Sequence, residues 1–213
     1  MVTGIDLYED AFHDLPLVAI LRGIRPSDAD GIAESLHGTG FRFIEVPLNS
    51  PKPFETIERF VSILPDTVLI GAGTVLDADD VQRLHDVGGR LMVSPNVAPD
   101  VIGAARERGM VSMPGAMTPT ECFAALKAGA TGLKIFPAGQ LGPGYIKDIR
   151  AVLPMDAAIL PVGGIGEDNM EAFLAAGASG FGFSSAIYKP GMTANTLRAR
   201  AEALVAAYRK ART

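Results

Sequence analysis

Lys127-Ala128-Gly129-Ala130 runs directly into Thr131-Gly132-Leu133-Lys134-Ile135-Phe136-Pro137. A glycine after a helical stretch is a helix stop. The short apolar run behind it has the look of a strand buried on both faces. The phrase returns at Ala175-Ala176-Gly177-Ala178, ahead of Gly180-Phe181-Gly182-Phe183. Outward from these two stretches the same alternation covers the chain, with apolar runs starting near Leu17, Arg42, Val68, Leu91, Val111, Gly132, Ala158 and Gly180. Helical spacing follows each run: Ile32 and Leu36 precede the Gly38/Gly40 stop, and Val81 and Leu84 precede Gly88-Gly89. Asp28, Asp77, Thr118 and Glu167 stand where helix-starting acceptors or first-turn acids belong.

Eight such units share 213 residues, near the ~30 per unit of a lean barrel. The reading is therefore α/β, a (β/α)8 TIM barrel in a single domain spanning 1–213. An open doubly wound sheet would carry a glycine-rich turn after its first strand. Here that position holds Arg22-Gly23-Ile24-Arg25-Pro26. Residues 6–14 read as a short N-terminal helix plugging the barrel bottom, and 193–212 as the closing helix.

Composition narrows the function. Lys and Arg total 19 against 24 Asp and Glu, a net charge of −5, so there is no basic field for nucleic acid. No apolar run reaches the roughly 18–20 residues of a membrane span. One cysteine, Cys122, rules out an internal disulfide framework and fits a reducing, cytoplasmic setting. Three scattered histidines are poor material for a zinc cluster, and no metal or cofactor is expected.

In a barrel, chemistry gathers at the C-terminal ends of the strands, so polar residues late in an apolar run are the informative ones. Period-2 alternation puts Phe43, Glu45 and Pro47 on one face, and Ile44 and Val46 on the other. With the aliphatic pair against the helices, Glu45 points into the barrel mouth, as a structural ion-pair partner or as a proton carrier. Lys134 interrupts the sixth strand. Desolvation there lowers an ammonium pKa and makes a neutral nucleophile available, unless the chain snorkels outward or pairs with a carboxylate. Lying on strands four apart in order, the two residues can face each other across the axis.

Pro161-Val162-Gly163-Gly164-Ile165-Gly166 and Gly180-Phe181-Gly182-Phe183-Ser184-Ser185 end the last two strands, the usual phosphate seat of this fold. Tight packing at the rim is the alternative. Gly71-Ala72-Gly73-Thr74 puts a hydroxyl and close-approach glycines at the mouth, and Arg22 ends the first strand as a clamp for an anion or as a rim salt bridge. His13, His37 and His85 fall on helices away from the mouth. Cys122 has no histidine placed to activate it and reads as core.

Taken together, six stretches in order resemble one family. They are Leu17-Val18-Ala19-Ile20-Leu21-Arg22-Gly23-Ile24, Glu45-Val46-Pro47-Leu48-Asn49-Ser50-Pro51, Gly71-Ala72-Gly73-Thr74-Val75-Leu76, Val93-Ser94-Pro95-Asn96, Leu133-Lys134-Ile135-Phe136-Pro137 and Pro161-Val162-Gly163-Gly164-Ile165. The chain resembles the 2-keto-3-deoxy-6-phosphogluconate/2-keto-3-deoxy-6-phosphogalactonate aldolases over residues 17–191. The resemblance implies a lysine Schiff-base aldolase with Lys134 as the imine-forming amine and Glu45 as the proton carrier. Arg22, Thr74 and Pro95 would line the ketoacid end, Phe136 would pack beside the lysine, and Gly163, Gly164 and Ser185 would hold the phosphate. It also implies a homotrimer. Relatives usually carry glycine just before the phosphate-binding serine, where this chain has Ser184.

The gluconate-type members carry Thr-Leu-Arg-Thr after the strand-2 glutamate and Thr-Gly-Gly after strand 7. This chain has Pro47-Leu48-Asn49-Ser50 and Val162-Gly163-Gly164, which resembles the galactonate type. The expected reaction is reversible cleavage of 2-dehydro-3-deoxy-6-phospho-D-galactonate to pyruvate and D-glyceraldehyde 3-phosphate. The alternative is action on the gluconate epimer, or on both. Without arginine at position 49, Arg22 and Thr74 are left to hold the ketoacid carboxylate. A phosphosugar isomerase on the same barrel would need no imine, and a binding protein would have no use for an opposed lysine and glutamate.

Overall fold

The computed structural model describes residues 3–212. Its strands are β1 (Leu17–Ile20), β2 (Phe43–Pro47), β3 (Leu69–Gly73), β4 (Leu91–Val93), β5 (Val111–Met113), β6 (Gly115–Ala116), β7 (Gly132–Ile135), β8 (Ala158–Pro161) and β9 (Phe181–Phe183). Every expected strand start lies within one residue of the observed one. The ninth strand arises because Pro114, which has no N–H to donate, cuts the fifth barrel strand into β5 and β6. Its carbonyl still accepts from the Lys134 N–H at 3.0 Å, so the ladder continues.

All pairings are parallel, in the orders β5-β4-β3-β2-β1-β9 and β6-β7-β8. A bridge between Val162 and Gly182, with Ser179 N–H donating to the Ile159 carbonyl at 2.8 Å, joins β8 to β9. The curled sheet thus has the eight-position order of a (β/α)8 barrel.

The helices are α1 (Gly4–Asp14), α2 (Ala29–Gly38), α3 (Pro53–Ile63), α4 (Ala78–Asp86), α5 (Pro99–Glu107), α6 (Pro119–Ala128), α7 (Ala138–Arg150), α8 (Met170–Ala175) and α9 (Ala194–Ala211). Local chemistry explains their starts. Asp77 accepts from the Asp80 N–H, and Thr118 forms a reciprocal capping box with Glu121. Gly129, at φ 97°, ends α6 in the left-handed conformation that its missing Cβ permits. Asp28 stands at the N-cap of α2 but makes no capping bond with its side chain, and Glu167 departs further. It lies in a turn, and α8 begins only at Met170, because Asn169 ties the preceding loop to itself. The glycine-rich seventh loop therefore does not enter a helix directly, as its sequence suggests.

Alternation sorts the core into two layers. Leu17, Ala19, Ile44, Val46, Leu133 and Ile135 face the helices, while Val18, Ile20, Phe43, Leu160 and Val162 fill the barrel. Helix α1 closes the bottom as expected: the Tyr8 and Phe12 rings lie 6.1 and 6.2 Å from that of Phe43. With α1 packed on its floor, the barrel presents its Glu45–Lys134 cavity toward the C-terminal ends of the strands. Among the described residues, no helix is long and apolar enough to cross a membrane.

Candidate active site

β2 and β7 carry Glu45 and Lys134 on their inward faces. Glu45 is 1% exposed and Lys134 8% exposed. Both line one narrow cavity on the barrel axis, walled by Ile20, Met113, Leu160 and Val162. Burial in these apolar walls pushes the Glu45 carboxyl up to about 7, a rise that the positive charges of Lys134 and Arg22 restrain. Burial also pulls the Lys134 ammonium below the usual lysine range. The charge of Arg22 adds to that fall, and Glu45 opposes it. Two groups that would both be ionised in water are thus brought toward their neutral forms, a setting for nucleophilic attack and proton exchange.

Glu45 Oε2 is buried and has no hydrogen-bond partner among the described residues. The Phe136 ring centroid lies 5.4 Å from Lys134 Nζ, and the side chain is 41% exposed, so it packs beside the amine at the mouth.

Arg22 lies two residues beyond β1, where its Nη1 donates to Asn49 Oδ1 at 2.9 Å. Its neighbour Gly23 donates its N–H to Ser50 Oγ, also at 2.9 Å. Two bonds from one turn after β2 therefore hold the first loop. Thr74 follows β3 at φ 57°. A β-branched residue there costs of order 1–3 kcal/mol, strain that clusters at functional sites. Pro95 lies exposed beyond β4 with its carbonyl against Gly115.

At the seventh loop, Gly163 and Gly164 take φ of 89° and 77°, values open to glycine. Asn169 Oδ1 accepts from Gly166 N–H at 3.0 Å, and its Nδ2 donates to the Gly164 carbonyl at 2.8 Å. The first N–H groups of α7 donate to the Val162 and Gly163 carbonyls. The Val162–Gly182 bridge brings this loop beside the eighth. There Ser184 is half-buried, its carbonyl taken by the Ile187 and Tyr188 N–H groups, whereas Ser185 is exposed. Val162 itself is a buried wall of the Lys134 cavity.

The structure thus gathers Lys134, Glu45 and Val162 in one cavity, with Phe136 beside the lysine. Arg22 lies within electrostatic reach of both ionisable groups. Thr74 and Pro95 follow strands that pair side by side, and Gly163, Gly164 and Ser185 lie on adjacent loops. Sequence reading passed over Ser50 and Asn169. The available signal was a side-chain acceptor one residue from Asn49, and an asparagine three residues after Gly166, the spacing of a local loop cap. The three histidines are exposed on α1, α2 and α4. Cys122 is fully buried, and burial pushes its thiol up to about 11, the opposite of an activated nucleophile.

Comparison with known proteins identifies the family. The family model described as KDPG and KHG aldolase matches residues 8–200. A protein of Rhizobium meliloti (strain 1021) called "Probable 2-dehydro-3-deoxy-6-phosphogalactonate aldolase" is 57% identical over 193 residues, 91% of each chain. The "2-dehydro-3-deoxy-6-phosphogalactonate aldolase" of Escherichia coli (strain K12) is 44% identical over 197 residues, 92% of this chain and 96% of that one. A solved structure described as "Native KDPGal structure" superposes with a TM-score of 0.91 at 44% identity, covering 92% of this chain and 96% of the other. With a barrel whose mouth presents a buried lysine opposite a buried glutamate, and with relatives this similar along nearly the whole chain, the protein belongs to the KDPG and KHG aldolase family, enzymes that break carbon–carbon bonds.

Proposed function

We propose that the chain cleaves 2-dehydro-3-deoxy-6-phospho-D-galactonate to pyruvate and D-glyceraldehyde 3-phosphate through an imine on Lys134. The observation that carries the chemistry is the desolvated lysine sharing one cavity with a glutamate of pKa about 7. Neutral Lys134 adds to the C2 ketone, and loss of water from the carbinolamine, with proton transfer through Glu45, leaves a protonated imine. That cation accepts the C3–C4 bonding pair as the C4 hydroxyl gives its proton to the Glu45 carboxylate left by the dehydration, and the aldehyde departs. The enamine takes a proton at C3 from Glu45, and water then hydrolyses the imine to pyruvate. The protonated imine is the electron sink, so no metal or cofactor enters the scheme.

In this reading Arg22 and Thr74 bind the ketoacid carboxylate, Pro95 and Phe136 bound that end of the site, and the backbone of Gly163 and Gly164 with Ser185 binds the phosphate. Support for Thr74 comes from its strained backbone. Thr74→Gly relieves the left-handed strain, so the melting temperature should hold or rise. Catalytic efficiency should nevertheless fall roughly 10–100-fold, the worth of a hydrogen bond to a charged group. Kinetics paired with a thermal melt check this; unchanged efficiency would make Thr74 a turn residue only.

The C4 assignment rests on the galactonate naming of the two relatives and on Val162, whose methyls line the cavity where a threonine would present a hydroxyl. Val162→Thr should raise activity on the gluconate epimer relative to the galactonate epimer, with pyruvate imine formation intact. Assays on both epimers test it, and an unchanged ratio would move the selectivity elsewhere, Asn49 being next. The reading extends to a cytoplasmic homotrimer, supported by the family resemblance and by the lone cysteine.

A further inference from the structure

We infer that Gly73 is a positioning residue for Glu45: the absence of a side chain at this one point of β3 forms the seat in which the carboxyl group is held. Glu45 pairs with Gly71 across the β2–β3 ladder, and Gly73 is its diagonal neighbour two residues on, opposite Pro47. Strand side chains lean along the strand and reach such diagonal neighbours. A Cβ built on Gly73 would meet Glu45 Oε2 at 1.8 Å, Cδ at 2.4 Å and Oε1 at 2.6 Å. Its three nearest atoms are thus all atoms of one carboxyl group. Gly71 differs, because a Cβ there would strike the backbone of Leu91, with its oxygen at 1.7 Å. Gly71 keeps two strands together, whereas Gly73 accommodates a reactive group.

Contact with the backbone also explains how the carboxyl is fixed. Oε2 is buried without a hydrogen-bond partner among the described residues, so at that oxygen shape does what donors would otherwise do. A carboxyl located by packing keeps its lone pairs available for successive proton transfers. A methyl at position 73 would drive the flexible end of Glu45 off its seat while leaving the backbone register and Lys134 in place. Displacement by about 1 Å is enough to cost ~10²-fold in a proton-transfer step.

The inference rests on the proposed role of Glu45, and the experiment separates the two. Gly73→Ala, Glu45→Gln and the double variant would be compared by borohydride trapping of pyruvate and by exchange of the pyruvate methyl protons into deuterium oxide. Gly73→Ala should still trap pyruvate, at a reduced rate no lower than that of Glu45→Gln, yet lose methyl exchange by about 10²-fold. Adding it to Glu45→Gln should cost nothing more. A thermal melt adds an independent test: the destabilisation caused by Gly73→Ala should largely vanish in a Glu45→Ala background, where no carboxyl remains to collide. If Glu45→Gln abolishes exchange while Gly73→Ala leaves it near the parent rate, or if the melt penalty is the same with and without Glu45, the positioning role is overturned. If Glu45→Gln itself exchanges normally, the proton-carrier reading fails instead.

Discussion

Lys134→Ala should eliminate cleavage and covalent trapping together, to the limit of detection. The loss is expected to be total because the site offers no second amine: Arg22 is a guanidinium that stays protonated, and Lys127 is in the last turn of α6, outside the barrel. An aldolase without its imine also loses its electron sink, so residual binding of the phosphate cannot be turned into bond cleavage. Folding should survive. Alanine removes a charge-bearing group that is buried at some desolvation cost, and the amine is held in an apolar-walled cavity. Circular dichroism with a cleavage assay coupled to pyruvate detection separates loss of chemistry from loss of fold.

Glu45→Gln should act on different steps. Glutamine keeps the shape on Gly73 but cannot shuttle a proton, so turnover should fall by roughly 10²–10⁴-fold, the usual worth of acid–base catalysis. Trapping of pyruvate should persist at a reduced rate. The pH dependence supplies a signature. In the parent enzyme, saturated with pyruvate, removal of a C3 proton requires the ionised carboxylate. Exchange should therefore rise with pH through about 7, the value to which burial lifts Glu45, and level off above it. Protonation of the enamine needs the acid form and should decline over the same range. Both limbs should be absent in Glu45→Gln. A parent profile with no break between pH 6 and 8 would mean that another group moves these protons.

Why the sequence reveals so much of this follows from barrel geometry. Each strand is short and buried on both faces, and glycine stops such as Gly88, Gly109 and Gly129 set off β4, β5 and β7; Leu17, Leu91, Val111, Gly132 and Ala158 are all true strand starts. A two-residue period then makes the direction of Glu45 and Lys134 a matter of counting. What escaped the sequence depends on loops meeting across the mouth. The Arg22–Asn49 and Gly23–Ser50 hydrogen bonds join residues 27 positions apart. The Gly73 contact needs the diagonal register of β2 on β3. Glu167 misled for a local reason. An acid ahead of an apolar run looks like a first-turn residue, but Asn169 closes the loop first and delays α8. The break at Pro114 was visible as a proline, yet its effect on the ladder depended on which neighbour used its carbonyl.

The central claim is that the reaction passes through an imine on Lys134. Its most direct test is peptide mass mapping of the protein after incubation with pyruvate and borohydride. The account predicts one reduced pyruvate adduct per chain, on the peptide containing Lys134, and none on that peptide in Lys134→Ala. An adduct on Lys127 or Lys147, or none while cleavage proceeds, would contradict it.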